Sequence, residues 1–466
     1  MNRAFVPRVN IARARFEGRF RSAWAKTDEL FRLIKEDQML TKPIVWRHSF
    51  IFYVGHLPAF TWNQTCGALR HWQSFNPYFD DLFCRGIDPD VDTGECHWHP
   101  EVPDTWPELD AVLKYRDQVR SAVLEALDNM SRLESSEIMA QDGWAFEMVL
   151  EHEYMHQETL LYMMHELPLD KKIRPPKTPT YSFHTGARSC SMEVPGGKVL
   201  LGAKFSESDF GWDNEFSQTV VDVPAFTMDS MPVTNGEYFE FVQSGAYDVE
   251  NYWRPEDWPW KVQTARKHPS VWLQRGSLWL YKAMFDLFPL AQVSSWPVYV
   301  TVAEARAYAS WRGKRLPTEA EFQRACYGGP DEIQTHYPWG ESAPAHRHGN
   351  FDFSSWSPNP VGSHPAGVSR WGIGELVHPA GMSRWGIGEL VGNGWELTDT
   401  RFAPFPGFTP YMPRYPDYSK DFFDGKHFVV KGGSWATPAE LLRPTFRNWY
   451  QGHYPYVFAK FRCVSS

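Results

Sequence analysis

The chain has 466 residues, enough for two domains, and 42% of them are hydrophobic, so a large core is available and wholesale disorder is excluded. Its net charge of −9, without a long run of one sign, excludes the basic footprint of a nucleic-acid binder. Six scattered cysteines (Cys66, Cys84, Cys96, Cys190, Cys326, Cys463) with no C-x-x-C pair exclude a disulfide framework and a structural zinc knot.

The opening stretch MNRAFVPRVNIARARFEGRF lacks the apolar core of a signal peptide and reads as a charged first helix rather than a transit peptide. No apolar run approaches the roughly 20 residues that cross a bilayer, so a cytoplasmic, reducing setting without a membrane partner is expected. AWAKTDELFRLIKEDQML (23–40) spaces its apolar residues at three and four, the helical period. VWRHSFIFYVGHLPAFTWNQ (45–64) is apolar enough for a buried helix. ELDAVLKYRDQVRSAVLEALDNM (108–130) and SSEIMAQDGWAFEMVLEHEYMHQETLLYMMHEL (135–167) are amphipathic. Four long helices with one long connection through 75–107 predict a four-helix bundle over 1–175.

KKIRPPKTPT (171–180) is Pro-rich, basic and aperiodic, and reads as a linker. Beyond it, short strand-like runs alternate with Gly, Pro and Trp punctuation, which predicts a loop-rich α+β domain over 185–466. Its clear helical signals are TVAEARAYASWRGKRL (301–316) and the following TEAEFQRACYG (318–328). The 22 tryptophans predict broad lined clefts, or loops pinned by large side chains. HPAGVSRWGIGELV (364–377) is followed at once by HPAGMSRWGIGELV, differing only at Val368 against Met382. A single tandem copy is no solenoid, and reads as a duplication with one copy redundant.

Chemistry concentrates at HEYMH (152–156). Histidines four apart share one helix face, about 6 Å apart along the axis, so His152 and His156 can offer two imidazoles to one ion. A zinc protease would use Glu153 to activate water and would need a third ligand. The longer protease pattern fails, because Thr159 and Tyr162 stand where it needs Gly and His. A third imidazole is available from His56 in FYVGHLPAF, with His48 two turns earlier as its competitor. Three imidazoles with open positions suit zinc, and also ferrous iron that binds oxygen and substrate together.

WRHSFIFYVGHLPAF and EHEYMHQETLLYM resemble the first domain of the nonhaem-iron sulfoxide synthases, which make the thiohistidines ergothioneine and ovothiol. FGWDNE (210–215), PVTNGEYFEFV (232–242), RLPTEAEFQRA (315–325), GNGWELT (392–398), KGGSWAT (431–437) and RPTFRNWYQ (443–451) resemble the second domain in order. The resemblance implies a DinB-like four-helix bundle followed by a formylglycine-generating-enzyme-like domain, a variant of the C-type-lectin fold. It implies Fe(2+) held by His56, His152 and His156, and contacts to a histidine-derived substrate from Asn448 and Trp449. A tyrosine near the iron supplies a proton or hydrogen atom in some members, and Tyr415 and Tyr418 in RYPDYSKDFF are the nearest match.

Two departures bear on substrate. Members that use γ-glutamylcysteine carry an arginine-rich segment in the long connection, whereas this chain has only Arg85 among many acids, so cysteine is the expected donor. Met155 stands where some relatives have a substrate-touching Gln, and Gln157 points about 100° away from His156. The implied reaction joins the cysteine sulfur to the imidazole of Nα-trimethylhistidine (hercynine), with O2 as oxidant, in ergothioneine biosynthesis. Its runner-up is the ovothiol-type 5-histidylcysteine sulfoxide synthase acting on histidine, disfavoured because no methyltransferase-like third domain follows. A zinc peptidase using HEYMH alone and a non-catalytic lectin-like module are readings from other classes. Formylglycine generation is disfavoured, since Cys463 has no close cysteine neighbour. The sequence implies no oligomeric state.

Overall fold

A computed structural model describes residues 8–70, 72–84, 103–128, 139, 143–176, 181–329, 334–364, 386–412, 414–416 and 418–466. The chain divides into two compact units: Met1–Pro175 with Tyr411–Tyr415, and Pro176–Pro410 with Pro416–Ser466. Arg85 and most of the tandem repeat lie outside the described residues.

The first unit is helical: α1 (Arg8–Arg32), α2 (Phe50–Gln64), α3 (Cys66–Arg70), α4 (Pro77–Leu82), α5 (Leu109–Asp128) and α6 (Trp144–Glu166). The four long segments expected from periodicity are α1, α2, α5 and α6. α2 is buried from Phe50 to Trp62, so its apolar run marks a central helix rather than one face of a surface helix. α6 is nearly as buried and carries charged groups inward, which only partners can make tolerable. Arg15 and Arg19 of α1 close on the buried Glu147 of α6 at 2.7 and 2.8 Å. The segment read as a linker begins with order: the Ile173 N–H donates to the Leu33 carbonyl at 2.7 Å, and Lys172 bridges Ile34.

The second unit carries the strands β1 (Ser191–Val194), β2 (Gly197–Leu201), β3 (Thr219–Val223), β4 (Phe226–Asp229), β5 (Trp272–Arg275), β6 (Leu278–Lys282), β7 (Leu287–Pro289), β8 (Trp395–Arg401), β9 (His427–Lys431), β10 (Asn448–Gln451), β11 (Ala459–Lys460) and β12 (Val464–Ser465). They form small sheets ordered β1-β4-β12, β10-β9-β8-β11, β2-β3 and β5-β6-β7. All pairs are antiparallel except β11 with β8. Its helices are α7 (Asn235–Gln243), α8 (Trp258–Gln263), α9 (Val302–Trp311) and α10 (Glu319–Tyr327). The last two match the helical signals, and α7 was not expected.

Three of these helices start on a Thr-x-x-Glu capping box: Thr234 with Glu237, Thr301 with Glu304, and Thr318 with Glu321. The core joins Val194, Val199, Val223, Phe226 and Met228 to Phe322 of α10 and to Ile387, Leu390 and Val391, the end of the second repeat copy. Tryptophans pin loops, as expected: the Trp296 indole donates to the Ser182 carbonyl at 2.9 Å, and the Trp272 indole to Asn235 Oδ1 at 3.0 Å. The described cysteines are free thiols, and among the described residues no helix is long and apolar enough to cross a membrane.

Candidate metal centre

The centre is built on α2 and α6. His152 and His156 lie one turn apart on α6, and their Nε2 atoms are 3.1 Å apart. His56 of α2 faces both, so one nitrogen from each of the three rings falls within 4.8 Å of the others. His48, the competing third ligand, precedes α2 and packs tilted against Phe52 at 3.9 Å, outside this cluster.

Local sequence explains why His56 points inward. The Cβ of any residue at Gly55 would fall 2.5 Å from the Phe83 ring, so only glycine lets Phe83 lie against α2. Asn76 caps α4 by accepting from the Phe79 N–H, and α4 ends at Leu82, leaving the Phe83 carbonyl free of the helix. That carbonyl accepts the Nδ1–H of His56 at 2.7 Å. The tautomer follows: the proton sits on Nδ1 and the Nε2 lone pair is presented to the cluster.

The electrostatics favour neutral rings. Burial pushes His56 down to about 4, against the pull of the Phe83 carbonyl. Burial also holds His152 and His156 well below the usual histidine range, and the neighbouring imidazoles push the same way. Neutral imidazoles with converging lone pairs fit a divalent ion. For bonds of about 2.1 Å at a right angle, two ligand nitrogens lie about 3.0 Å apart, close to the 3.1 Å between the two α6 rings.

Glu153 takes no part in the cluster. Its carboxylate, buried between α6 and α1, accepts from the Thr27 hydroxyl at 2.5 Å, and burial raises its pKa. Gln157 also turns away, donating to the Ala23 carbonyl and to Thr27 at 3.0 and 3.1 Å. Glu153 is therefore not placed as the water-activating base that a peptidase needs.

The two candidate tyrosines part company. Tyr415 belongs to the first unit and meets the edge of Phe60 at 5.3 Å, and Phe60 in turn stacks on His152. Its segment is tied down by Arg414, which donates to the Ala68 carbonyl at 3.3 Å, and by Tyr411 against Trp144. Tyr418 belongs to the second unit, stacked on Trp212 at 4.1 Å. Asn448 and Trp449 open β10 of that unit. The Asn448 side chain accepts from the Trp449 N–H at 2.9 Å and donates to the Tyr450 hydroxyl at 3.2 Å. Trp449 has Phe402 flat against one face at 4.2 Å and Tyr418 at its edge. Sequence reasoning missed Gly55, Phe60 and the Phe83 carbonyl; a glycine directly before a histidine inside an apolar helix was the available signal.

Residues 184–466 match the sulfatase-modifying factor enzyme 1-like domain, and residues 19–160 match the DinB superfamily. The hercynine oxygenase of Mycolicibacterium thermoresistibile is 35% identical over 336 residues, 71% of this chain and 69% of that protein. That of Mycolicibacterium smegmatis is 33% identical over 72% of this chain and 73% of its own length. This chain belongs to the hercynine oxygenase family. Ergothioneine biosynthesis protein 1 of Neurospora crassa is 31% identical over 95% of this chain, which spans 56% of that longer protein. Membership bears out the expected family resemblance and the two-domain fold, a DinB-like helical domain followed by a β-rich formylglycine-generating-enzyme-like one. It also makes the chain an oxygen-dependent oxidoreductase.

Proposed function

We propose that this chain is the sulfoxide synthase of an ergothioneine pathway, joining the sulfur of cysteine to the imidazole of hercynine. In the overall balance one S–H and one ring C–H are lost and a C–S bond forms. One atom of O2 stays on sulfur and the other leaves as water. The observation that carries the reading is the meeting of three imidazoles, those of His56 and His152 buried and that of His156 half-buried, in a chain whose relatives are hercynine oxygenases.

His56, His152 and His156 are the proposed ligands of Fe(2+). Bound there, ferrous iron supplies a redox-active Lewis acid with positions left open for substrate. The protein residues would hold it in a fixed frame: Phe83 fixes the His56 tautomer, and the rings of Phe52, Tyr53 and Phe60 pack against His56, His156 and His152 respectively. Tyr415 is the proposed proton source, supported by its edge contact with Phe60, the ring that stacks on His152. Asn448 and Trp449 are the proposed contacts to hercynine. Asn448 keeps one amide hydrogen beyond its bond to Tyr450, and Trp449 offers an aromatic face to a trimethylammonium group. Arg85 is the proposed partner of the donor carboxylate, and its lone charge favours cysteine over a dianionic donor.

The test is anaerobic reconstitution with ferrous iron, then exposure to oxygen with cysteine or γ-glutamylcysteine as donor and hercynine or histidine as acceptor. Mass spectrometry should find the cysteine–hercynine sulfoxide as the main product. A histidine adduct would transfer the chain to the ovothiol-type reaction, and no sulfoxide from any pair would end this reading.

A further inference from the structure

The three imidazoles of the centre are held in different ways. His56 is fixed twice, by the hydrogen bond from Nδ1 to the Phe83 carbonyl and by Phe52 stacked at 5.0 Å with planes 18° apart. Metal-binding histidines ordinarily need such a partner at the second nitrogen, because the torsion about Cβ–Cγ is otherwise broad and roughly two-fold. His152 has none: its Nδ1 is buried with no hydrogen-bond partner. What it has is Phe60, whose ring lies 3.7 Å away with planes only 11° apart. Phe60 is 2% exposed and follows His56 by one turn of α2, so the helix that supplies one candidate ligand also supplies the wall against another.

We propose that Phe60 is the positioning residue of His152, doing by ring stacking what a hydrogen bond does for His56. Rotation of the imidazole out of its plane would drive its edge into the phenyl carbons, so the direction of the Nε2 lone pair is set by packing. The chemistry of the centre changes accordingly. An acceptor at Nδ1 would raise the basicity of the ligand, and a carboxylate acceptor would add negative charge. A phenyl face does neither, so an ion bound here would keep more of its positive charge for an anionic thiolate. The same ring carries Tyr415 on its edge at 5.3 Å, which couples the position of that hydroxyl to the wall behind His152.

This inference rests on the reading of His56, His152 and His156 as metal ligands, and the experiment separates the two. Cobalt(II) is titrated against a chromophoric chelator in wild type, Phe60→Leu, Phe60→Met, Phe60→Tyr and His152→Ala, and the visible bands of the bound cobalt are recorded. Phe60→Leu and Phe60→Met should bind about 10-fold more weakly with shifted bands, in the range of lost outer partners of metal ligands. Phe60→Tyr, which keeps the flat ring, should stay within about 3-fold of wild type with the same bands. Phe60→Met has no plane, and its flexible thioether adapts to the space left by the ring, so it carries the test even where the leucine variant does not fold. Wild-type affinity and bands in Phe60→Met overturn the role of Phe60. Wild-type cobalt affinity in His152→Ala overturns the ligand reading itself.

Discussion

At Gly55 the absence of a side chain has a chemical consequence one residue away. A methyl group there would stand 2.5 Å from the body of the Phe83 ring, and that ring is fully buried with little room to retreat. Gly55→Ala should therefore push Phe83 back and break the bond between its carbonyl and His56. The expected result is about 10- to 100-fold weaker metal binding, as for other lost outer partners, with helix content unchanged by circular dichroism. Chelator competition measures it, and wild-type affinity would show that the His56 tautomer is fixed some other way. Glu153 makes the opposite case. It bonds to Thr27 and is buried toward α1, so Glu153→Gln should retain most sulfoxide formation under conditions where His152→Ala has none. Equal losses in a product assay would return Glu153 to the chemistry. The histidine pair was legible because helical spacing alone places two rings together. The role of Phe83 was not, because a backbone carbonyl has no sequence signature and its reach depends on where α4 ends.

Among the elements, α6 shows how charged and amide groups are tolerated inside a bundle. Gln157 donates to the Thr27 hydroxyl, which donates to Glu153, and this chain of bonds joins α6 to α1 beside the centre. Thr27→Val removes the middle link and leaves a buried carboxyl oxygen without its donor. That should cost about 2 kcal/mol of the helical unit's stability in urea, within the usual penalty for an unsatisfied buried group. Cobalt affinity should stay within about 3-fold, because none of the three imidazoles bonds to Thr27. A tenfold loss of affinity would mean that α1 sets the position of the histidines. The helices were legible to this level because three-and-four spacing and apolar runs survive any tertiary context. α7 carried an equally plain signal, T-N-G-E before an aromatic run, and the capping-box rule finds it. The excursion Tyr411–Tyr415 was not legible. Its placement with the helical unit depends on Arg414 and Ala68, some 346 positions apart in sequence, and no local period encodes such a meeting.

For the molecule as a whole, two perturbations fall in separate units and share no partner among the described residues. The first is metal, whose proposed ligands all lie in the helical unit; a bound ion stabilises the folded state by about 2.7 kcal/mol at 100 times its dissociation constant. The second is Asp213 in the β-rich unit, where burial pushes the carboxyl up to about 6 from an ordinary 3.8, against the bond from Ser419. The folded state then keeps a proton between pH 4 and 6 that the unfolded chain has released. Stability must fall as pH rises through that window, by about 3 kcal/mol for a shift of about two units. Asp213→Asn still accepts from Ser419 and cannot ionise, so the variant should gain on wild type from pH 4 to 6 and hold that gain above pH 6. Calorimetric unfolding of wild type and Asp213→Asn, each with and without cobalt(II), closes a cycle. Effects that share no partner add within about 0.5 kcal/mol. The cobalt increment should therefore be the same in both proteins, and the pH-dependent gain the same with and without metal. A coupling well above that limit would show that the proton held at Asp213 and the ion held by the histidines report on one another, and the two units would then act as a single thermodynamic body.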